Sequence, residues 1–118
     1  MYRVFGFLQK LPHLSMAEFI DHYETRHIPL VLSLAGQPPV YKRRYIDRDR
    51  PTTKGAGTVD FDVMTELAFE DRTAFAAWMA RLYGPSAEGR VVEDEKRFLD
   101  MARTRGYVVQ EFGAEVSP

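Results

Sequence analysis

The 118-residue chain has no cysteine, and that one absence removes disulfide scaffolding, thiolate catalysis and thiolate-bound metal together. No apolar run approaches the roughly 20 residues that cross a bilayer. The opening MYRVFGFLQKLP reads as a strand entering a turn and lacks the charged-then-apolar layout of a secretory leader. Neither sign of charge dominates. Sixteen Lys and Arg stand against 17 Asp and Glu, so the concentrated positive field that nucleic acid or an anionic membrane requires is missing. The one basic cluster, KRRYIDRDR at 42–50, has Asp47, Asp49 and Asp60 within or beside it. No glycine-rich loop joins a strand to a helix, which argues against a phosphate cradle. These absences lead to the expectation of a cytoplasmic protein with neither a nucleic-acid nor a membrane partner. The length suits a single domain over residues 1–118, large enough for one two-layer core.

What is present is a run of alternating short elements. YRVFGFLQ at 2–9 is rich in aromatic and β-branched residues and predicts a strand that is apolar on both faces, with Tyr2, Val4 and Leu8 on one side and Phe5 and Phe7 on the other. Ser15 with Glu18 forms a capping box for a helix that Gly36, Pro38 and Pro39 terminate, and Pro29 predicts a kink or an interruption just after His27. VYKRRYID at 40–47 predicts a half-exposed strand, followed by a charged loop. FDVMTELAF at 61–69 alternates, setting Phe61, Val63, Leu67 and Phe69 against Asp62, Met64, Glu66 and Ala68. Asp71 caps a second helix with Phe75, Trp78, Met79 and Leu82 as its apolar stripe, stopped by Gly84 and Pro85. A short helix near 92–102, using Val92, Glu95, Phe98, Leu99 and Ala102, and a strand at 107–112 complete the chain. The order predicts an α+β, ferredoxin-like split β-α-β domain, a four-stranded antiparallel sheet with helices on one face. The uncovered apolar face then predicts a homodimer packed sheet against sheet, enclosing a cavity.

His27 lies four residues after Tyr23 on the same helical side, and an imidazole titrates near neutral pH, so His27 is the leading candidate acid or base and Tyr23 a candidate to hold a substrate oxygen. The competing role for both is core packing. His22 is out of phase and looks towards Glu18 and Arg26. The five-residue spacing of His22 and His27 also points their rings apart on an α-helix, unlike a zinc-binding H-E-x-x-H, and no metal is expected. Glu66 and Asp62 share the strand face turned from the helices. There Glu66 is a candidate complementary acid and Asp62 a candidate ligand contact, each alternatively ion-paired with Arg43 or Arg44. Phe5, Phe7, Tyr41, Tyr45, Trp78 and Tyr83 are candidate aromatic walls for a flat small molecule.

The segments VFGFLQKLPHLSMAEFIDHYETRHIPL, RRYI at 43–46, FDVMTELAFED at 61–71 and VVEDEKRFLD at 91–100 together resemble the EthD-domain family, within the dimeric α+β barrel superfamily. The resemblance covers nearly the whole chain. It implies a ferredoxin-like fold paired through its sheets into a dimeric α+β barrel, and it matches the family's histidine-before-proline to His27 and Pro29. Relatives implied by it include cofactor-free decarboxylases, dehydratases and cyclases of aromatic polyketides, and more distantly haem-dependent or cofactor-independent monooxygenases. The expectation is a lyase or isomerase without a cofactor, acting on an oxygenated aromatic or polyketide-derived compound. His27 would move a proton, Tyr23 or a strand tyrosine would hold the oxyanion, and Glu66 would act as the second acid or orient the histidine. The alternatives are a monooxygenase of aromatic compounds, with haem on a single axial histidine or without cofactor, and a non-catalytic dimeric small-molecule binder.

Overall fold

A computed structural model describes residues 1–55 and 57–114. Its elements run β1 (Tyr2–Leu8), α1 (Met16–His22), a π-helical turn (Tyr23–His27), α2 (Ile28–Ala35), β2 (Val40–Tyr45), β3 (Val63–Phe69), α3 (Arg72–Tyr83), a 3-10 turn (Pro85–Ala87), α4 (Arg90–Glu95) and β4 (Arg105–Val109). The sheet order is β2-β3-β1-β4 with every neighbour antiparallel, the ferredoxin-like arrangement expected from the element order.

The barrel implied by the resemblance is not found. β2 and β4 occupy opposite edges of an open sheet, and neither pairs with a further strand among the described residues. Four strands are too few to close on themselves, since a filled barrel of tilted strands takes about eight. The fold is an open four-stranded sheet with flanking helices.

Register assigns every strand residue to a face. Gly6 opposes Thr65 on β3 and Gly106 on β4, and Val4 opposes Leu67, so Tyr2, Val4, Gly6, Leu8, Val63, Thr65, Leu67 and Phe69 share the side that the helices cover. Tyr41 and Tyr45 join that side from β2, opposite Leu67 and Val63. Arg3, Phe5, Phe7, Met64, Glu66 and Tyr107 belong to the other.

Ser15 caps α1 with a reciprocal capping box to Glu18, and Asp71 caps α3 by accepting from the Ala74 amide at 2.8 Å. Instead of breaking after His27, the first helical segment runs through to Ala35 and widens before that point. The Ile28 amide bonds the Tyr23 carbonyl five residues back, the signature of a π-turn. Pro29 supplies the reason. It has no amide to give the Thr25 carbonyl and its ring would press on that group, and a wider turn relieves the contact.

The last helix is shorter and differently phased than the sequence predicts. α4 ends at Glu95 and buries Val91, Asp94 and Glu95, with Val92 turned further out. The segment beyond peels away to bond the end of β1, through Leu11 N to Phe98 O at 3.0 Å and Asp100 N to Gln9 O at 2.8 Å. β4 begins at Arg105, two residues before the expected 107, because Gly106 takes the register position opposite Gly6.

The core falls into two clusters, one around Phe19, Tyr23, Ile28, Val63, Phe98 and Leu99, the other around Val31, Phe69, Trp78, Leu82 and Val91. A cavity lies between them. No helix among the described residues is long and apolar enough to cross a membrane.

Candidate functional site

The cavity, about 230 Å³, is roofed by helices and floored by the sheet. Its floor is thin for a simple reason: Gly6 and Gly106 sit side by side in neighbouring strands and put no side chain into the space. Tyr23 and His27 enter from the π-turn, Tyr41 and Thr65 from the sheet, Trp78 and Tyr83 from α3, and Glu95 from the end of α4.

Asp94 organises the histidines. Its Oδ2 lies 2.9 Å from His27 Nδ1 and its Oδ1 lies 3.1 Å from His22 Nε2. The five-residue spacing that separates two rings on an α-helix brings them onto one carboxylate here because the intervening π-turn takes up the extra residue. Phe98 fills the space between, with its ring centroid 4.7 Å from His22 and 4.9 Å from His27. The expectation that His22 faces the polar flank with Glu18 and Arg26 is therefore corrected.

The protonation pattern follows from these contacts. Burial pushes the Asp94 carboxyl up, but hydrogen bonds from His27 and His22 outweigh it and hold the group below the ordinary aspartate value. Asp94 is thus an anion that only accepts, so His27 Nδ1 carries the proton and donates. Burial holds the His27 pKa below the usual imidazole value, with the Asp94 hydrogen bond and charge opposing. A neutral ring with its proton on Nδ1 leaves Nε2 with a bare lone pair, the form of a general base.

Tyr23, 2% exposed, shares a 2.7 Å hydrogen bond with Thr65 Oγ1, and burial pushes its phenol up to about 12. Burial likewise raises the Tyr41 phenol, and partial desolvation raises that of Tyr83, a residue 47% exposed, so all three remain protonated at neutral pH and offer neutral hydroxyls. Trp78 spends its indole N–H on the Gly36 carbonyl at 2.9 Å and presents an apolar face. Glu95 accepts from the Tyr83 hydroxyl at 2.9 Å through Oε2, while its Oε1 is buried without a hydrogen-bond partner among the described residues. Burial pushes its carboxyl above the ordinary glutamate value, the nearby Asp94 charge adding to the effect and the Tyr83 bond opposing it.

The structure brings His27, Tyr23, Tyr41, Trp78 and Tyr83 to one cavity. It places the other sequence candidates elsewhere. Glu66 lies on the opposite sheet face, held between Arg3 and Arg44 at 2.8 Å each, so it neither meets His27 nor orients it. Asp62 accepts from the Lys10 amide at 2.8 Å and pairs with Arg48 at 2.9 Å, tying the β2–β3 loop to the end of β1. Tyr45 belongs to the first core cluster and donates to Glu24, which also binds Arg43. Phe5 and Phe7 lie on the sheet face away from the helices, Phe7 packed edge-on to Phe61 at 5.0 Å.

Asp94, Glu95, Thr65 and the Gly6–Gly106 pair were not among the sequence candidates. A signal existed for Glu95, a glutamate inside an otherwise apolar stripe, and for Gly6, an isolated glycine within a strand. Asp94 had none, because its value comes from the π-turn. Among the described residues no group of three or more metal-ligating side chains is arranged to hold a metal ion.

The EthD domain model matches residues 11–102. No curated protein matches the chain. Among solved structures, it is similar to an ethyl tert-butyl ether d (EthD) family protein from Bacillus halodurans c-125, with a TM-score of 0.62 and 19% identity over 95% of this chain and 100% of that one. It is also similar to an uncharacterized NIPSNAP domain protein from Burkholderia xenovorans, with a TM-score of 0.56 and 16% identity over 100% of this chain and 99% of the other. HapK from Hahella chejuensis superposes with a TM-score of 0.57 at 9% identity, again over 100% of this chain and 99% of that one. At such identities the likeness is one of fold.

Proposed function

The chain belongs to the EthD-domain family, and from that premise we propose that it binds a small, flat, oxygen-bearing molecule in the cavity beside His27. One observation carries this reading: a largely apolar cavity into which neutral phenols and a bare imidazole nitrogen converge. Apolar walls reward the transfer of a ring out of water, and the few polar tips fix its orientation. Haem suits the site poorly. A porphyrin needs a broad planar slot, and a space of about 230 Å³ between packed aromatic side chains does not offer one.

The His27–Asp94 hydrogen bond favours a second, catalytic reading. Asp94 fixes the ring and stabilises the imidazolium that forms when Nε2 takes a proton from an acidic O–H or C–H of the ligand. The resulting anion is the shared starting point for reprotonation elsewhere, for loss of a leaving group or carbon dioxide, and for direct reaction with dioxygen. Lyase, isomerase and cofactor-independent oxygenase chemistry all begin from it. They diverge in what the anion meets next.

The test is a panel of hydroxylated aromatic ketones and quinol-type compounds, followed for binding by protein NMR and for turnover by product formation and oxygen uptake. The reading expects ligand-induced shifts centred on Tyr23, His27 and Tyr83. If turnover is found, His27→Ala should lower it by about 10²–10⁴-fold. Binding with unaltered turnover in His27→Ala would remove the proton-transfer role, binding without turnover would leave a non-catalytic carrier, and shifts confined to residues outside the cavity would remove the site.

The reading extends to a pair of chains meeting through the sheet faces that carry Phe5, Phe7 and Tyr107. Tyr107 on the edge strand β4 is 60% exposed and Phe112, which borders a hollow with Phe5 and Glu66, is 89% exposed, apolar surface that a partner sheet would cover.

A further inference from the structure

The catalytic reading above uses only the base side of the cavity. Glu95 lines the same cavity with an unusual set of contacts. The residue is 9% exposed; its Oε2 is occupied by the Tyr83 hydroxyl, and its Oε1 is buried with no partner among the described residues. A buried carboxylate oxygen left unpaired is expensive, whereas a carboxylic acid in the same place holds a donor ready for a ligand. Tyr83 donates to Oε2, and so the acid proton belongs on Oε1, the atom without a partner.

We propose that Glu95 serves as a protonated acid that donates a hydrogen bond from Oε1 to a carbonyl oxygen of the ligand, so that the site selects molecules carrying a carbonyl beside an acidic O–H or C–H. This rests on the proposed function and adds the substrate class. For a ketone with a hydrogen on the adjacent carbon the step balances. His27 Nε2 takes the proton from carbon, the C–H electron pair becomes the C=C bond, the carbonyl π pair moves to oxygen, and that oxygen takes the Glu95 proton. The product is the enol, with imidazolium and carboxylate left to reverse the transfer, and no co-reactant is consumed. The groups that face Glu95 agree with a neutral acid. They are the Tyr83 hydroxyl from α3, the Asp94 anion on its own helix, and the Tyr23 hydroxyl and neutral His27 from the π-turn. Arg105 borders the same cavity, but its guanidinium is directed to Asp60 at 3.0 Å.

Two probes of matched shape test this, 2′-hydroxyacetophenone and 2-ethylphenol, which differ in the carbonyl. The wild-type protein should bind the ketone about tenfold more tightly, the yield of one hydrogen bond. Glu95→Gln keeps an N–H donor and should keep that preference. Glu95→Leu should abolish it while still binding 2-ethylphenol, which shows that the variant is folded. In parallel, the Glu95 carboxyl followed by ¹³C NMR should titrate above the ordinary glutamate value and move when the ketone is added. Equal binding of the two probes by the wild type, or an undiminished preference in Glu95→Leu, would overturn the proposal. Failure of both probes to bind would take down the small-molecule reading with it, whereas equal binding that weakens in His27→Ala would leave that reading intact and remove the role of Glu95 alone.

Discussion

His27 shows how a single residue is tuned by two neighbours that act in opposite directions. Burial disfavours the imidazolium, Asp94 favours it, and burial prevails. The folded pKa therefore lies below the unfolded one, near 6.5. Below that value the unfolded chain binds a proton that the folded chain resists, so the His27 contribution to stability is complete above about pH 6.5 and is lost as the pH falls towards the folded pKa. Glu95 has the opposite sign: its folded pKa is raised, and it lowers stability as the pH climbs from the unfolded glutamate value through the folded one. Urea unfolding followed across pH should therefore show Glu95→Gln gaining on the wild type as the pH rises from 4 to 7. His27→Gln should lose less stability than the wild type between pH 7 and 5. A pH profile unchanged in both variants would contradict the assignment of charge states. At this scale His27, Tyr23, Tyr41, Trp78 and Tyr83 were legible, because aromatic and imidazole side chains on the inward side of predicted elements have few other places to go. Glu66 was misplaced in function though not in facing: its alternation correctly turned it from the helices, but the cavity lies on the helix side.

Among the elements, the π-turn decides the site. Tyr23–His27 inserts the extra residue that lets His22 and His27 both reach Asp94, and Pro29 removes the amide that a regular α-helix would have used. The sequence announced a disturbance through Pro29 but not its kind, because a kink, a break and a wide turn all satisfy a missing amide. Helix α3 ends with comparable consequence. Gly84 has ordinary backbone angles, yet a Cβ there would stand 2.4 Å from the Ala80 carbonyl oxygen, so glycine is required by close approach. Gly84→Ala should force the end of α3 aside, destabilising the protein by about 1–3 kcal/mol. It should also displace Tyr83 from Glu95, read as a change in the Tyr83 environment by NMR. An alanine variant with wild-type unfolding and an unmoved Tyr83 would show that the contact relaxes freely.

For the whole molecule, the open sheet separates two surfaces with different tasks. One holds the cavity beneath the helices, and the other displays Phe5, Phe7 and Tyr107 around the Arg3–Glu66–Arg44 cluster. If two chains meet there as proposed, Phe7→Asp would bury a charge in each half of the interface. Sedimentation should then show a dimer for the wild type and a monomer for the variant, with 2-ethylphenol binding retained by the monomer; a wild-type monomer at micromolar concentration would dispose of the pairing. The sequence by itself determined the strand and helix order, and hence the ferredoxin-like sheet, because period-two alternation, two capped helices and their glycine and proline stops are local properties of the chain. It also determined that His27 would be inward. Only the tertiary structure decided that the sheet stays open, that Asp94 joins two histidines, and that Gly6 meets Gly106 to leave a cavity facing Glu95. Each of these depends on register or helical phase between segments far apart in the chain, where a shift of one residue reverses which side chains meet.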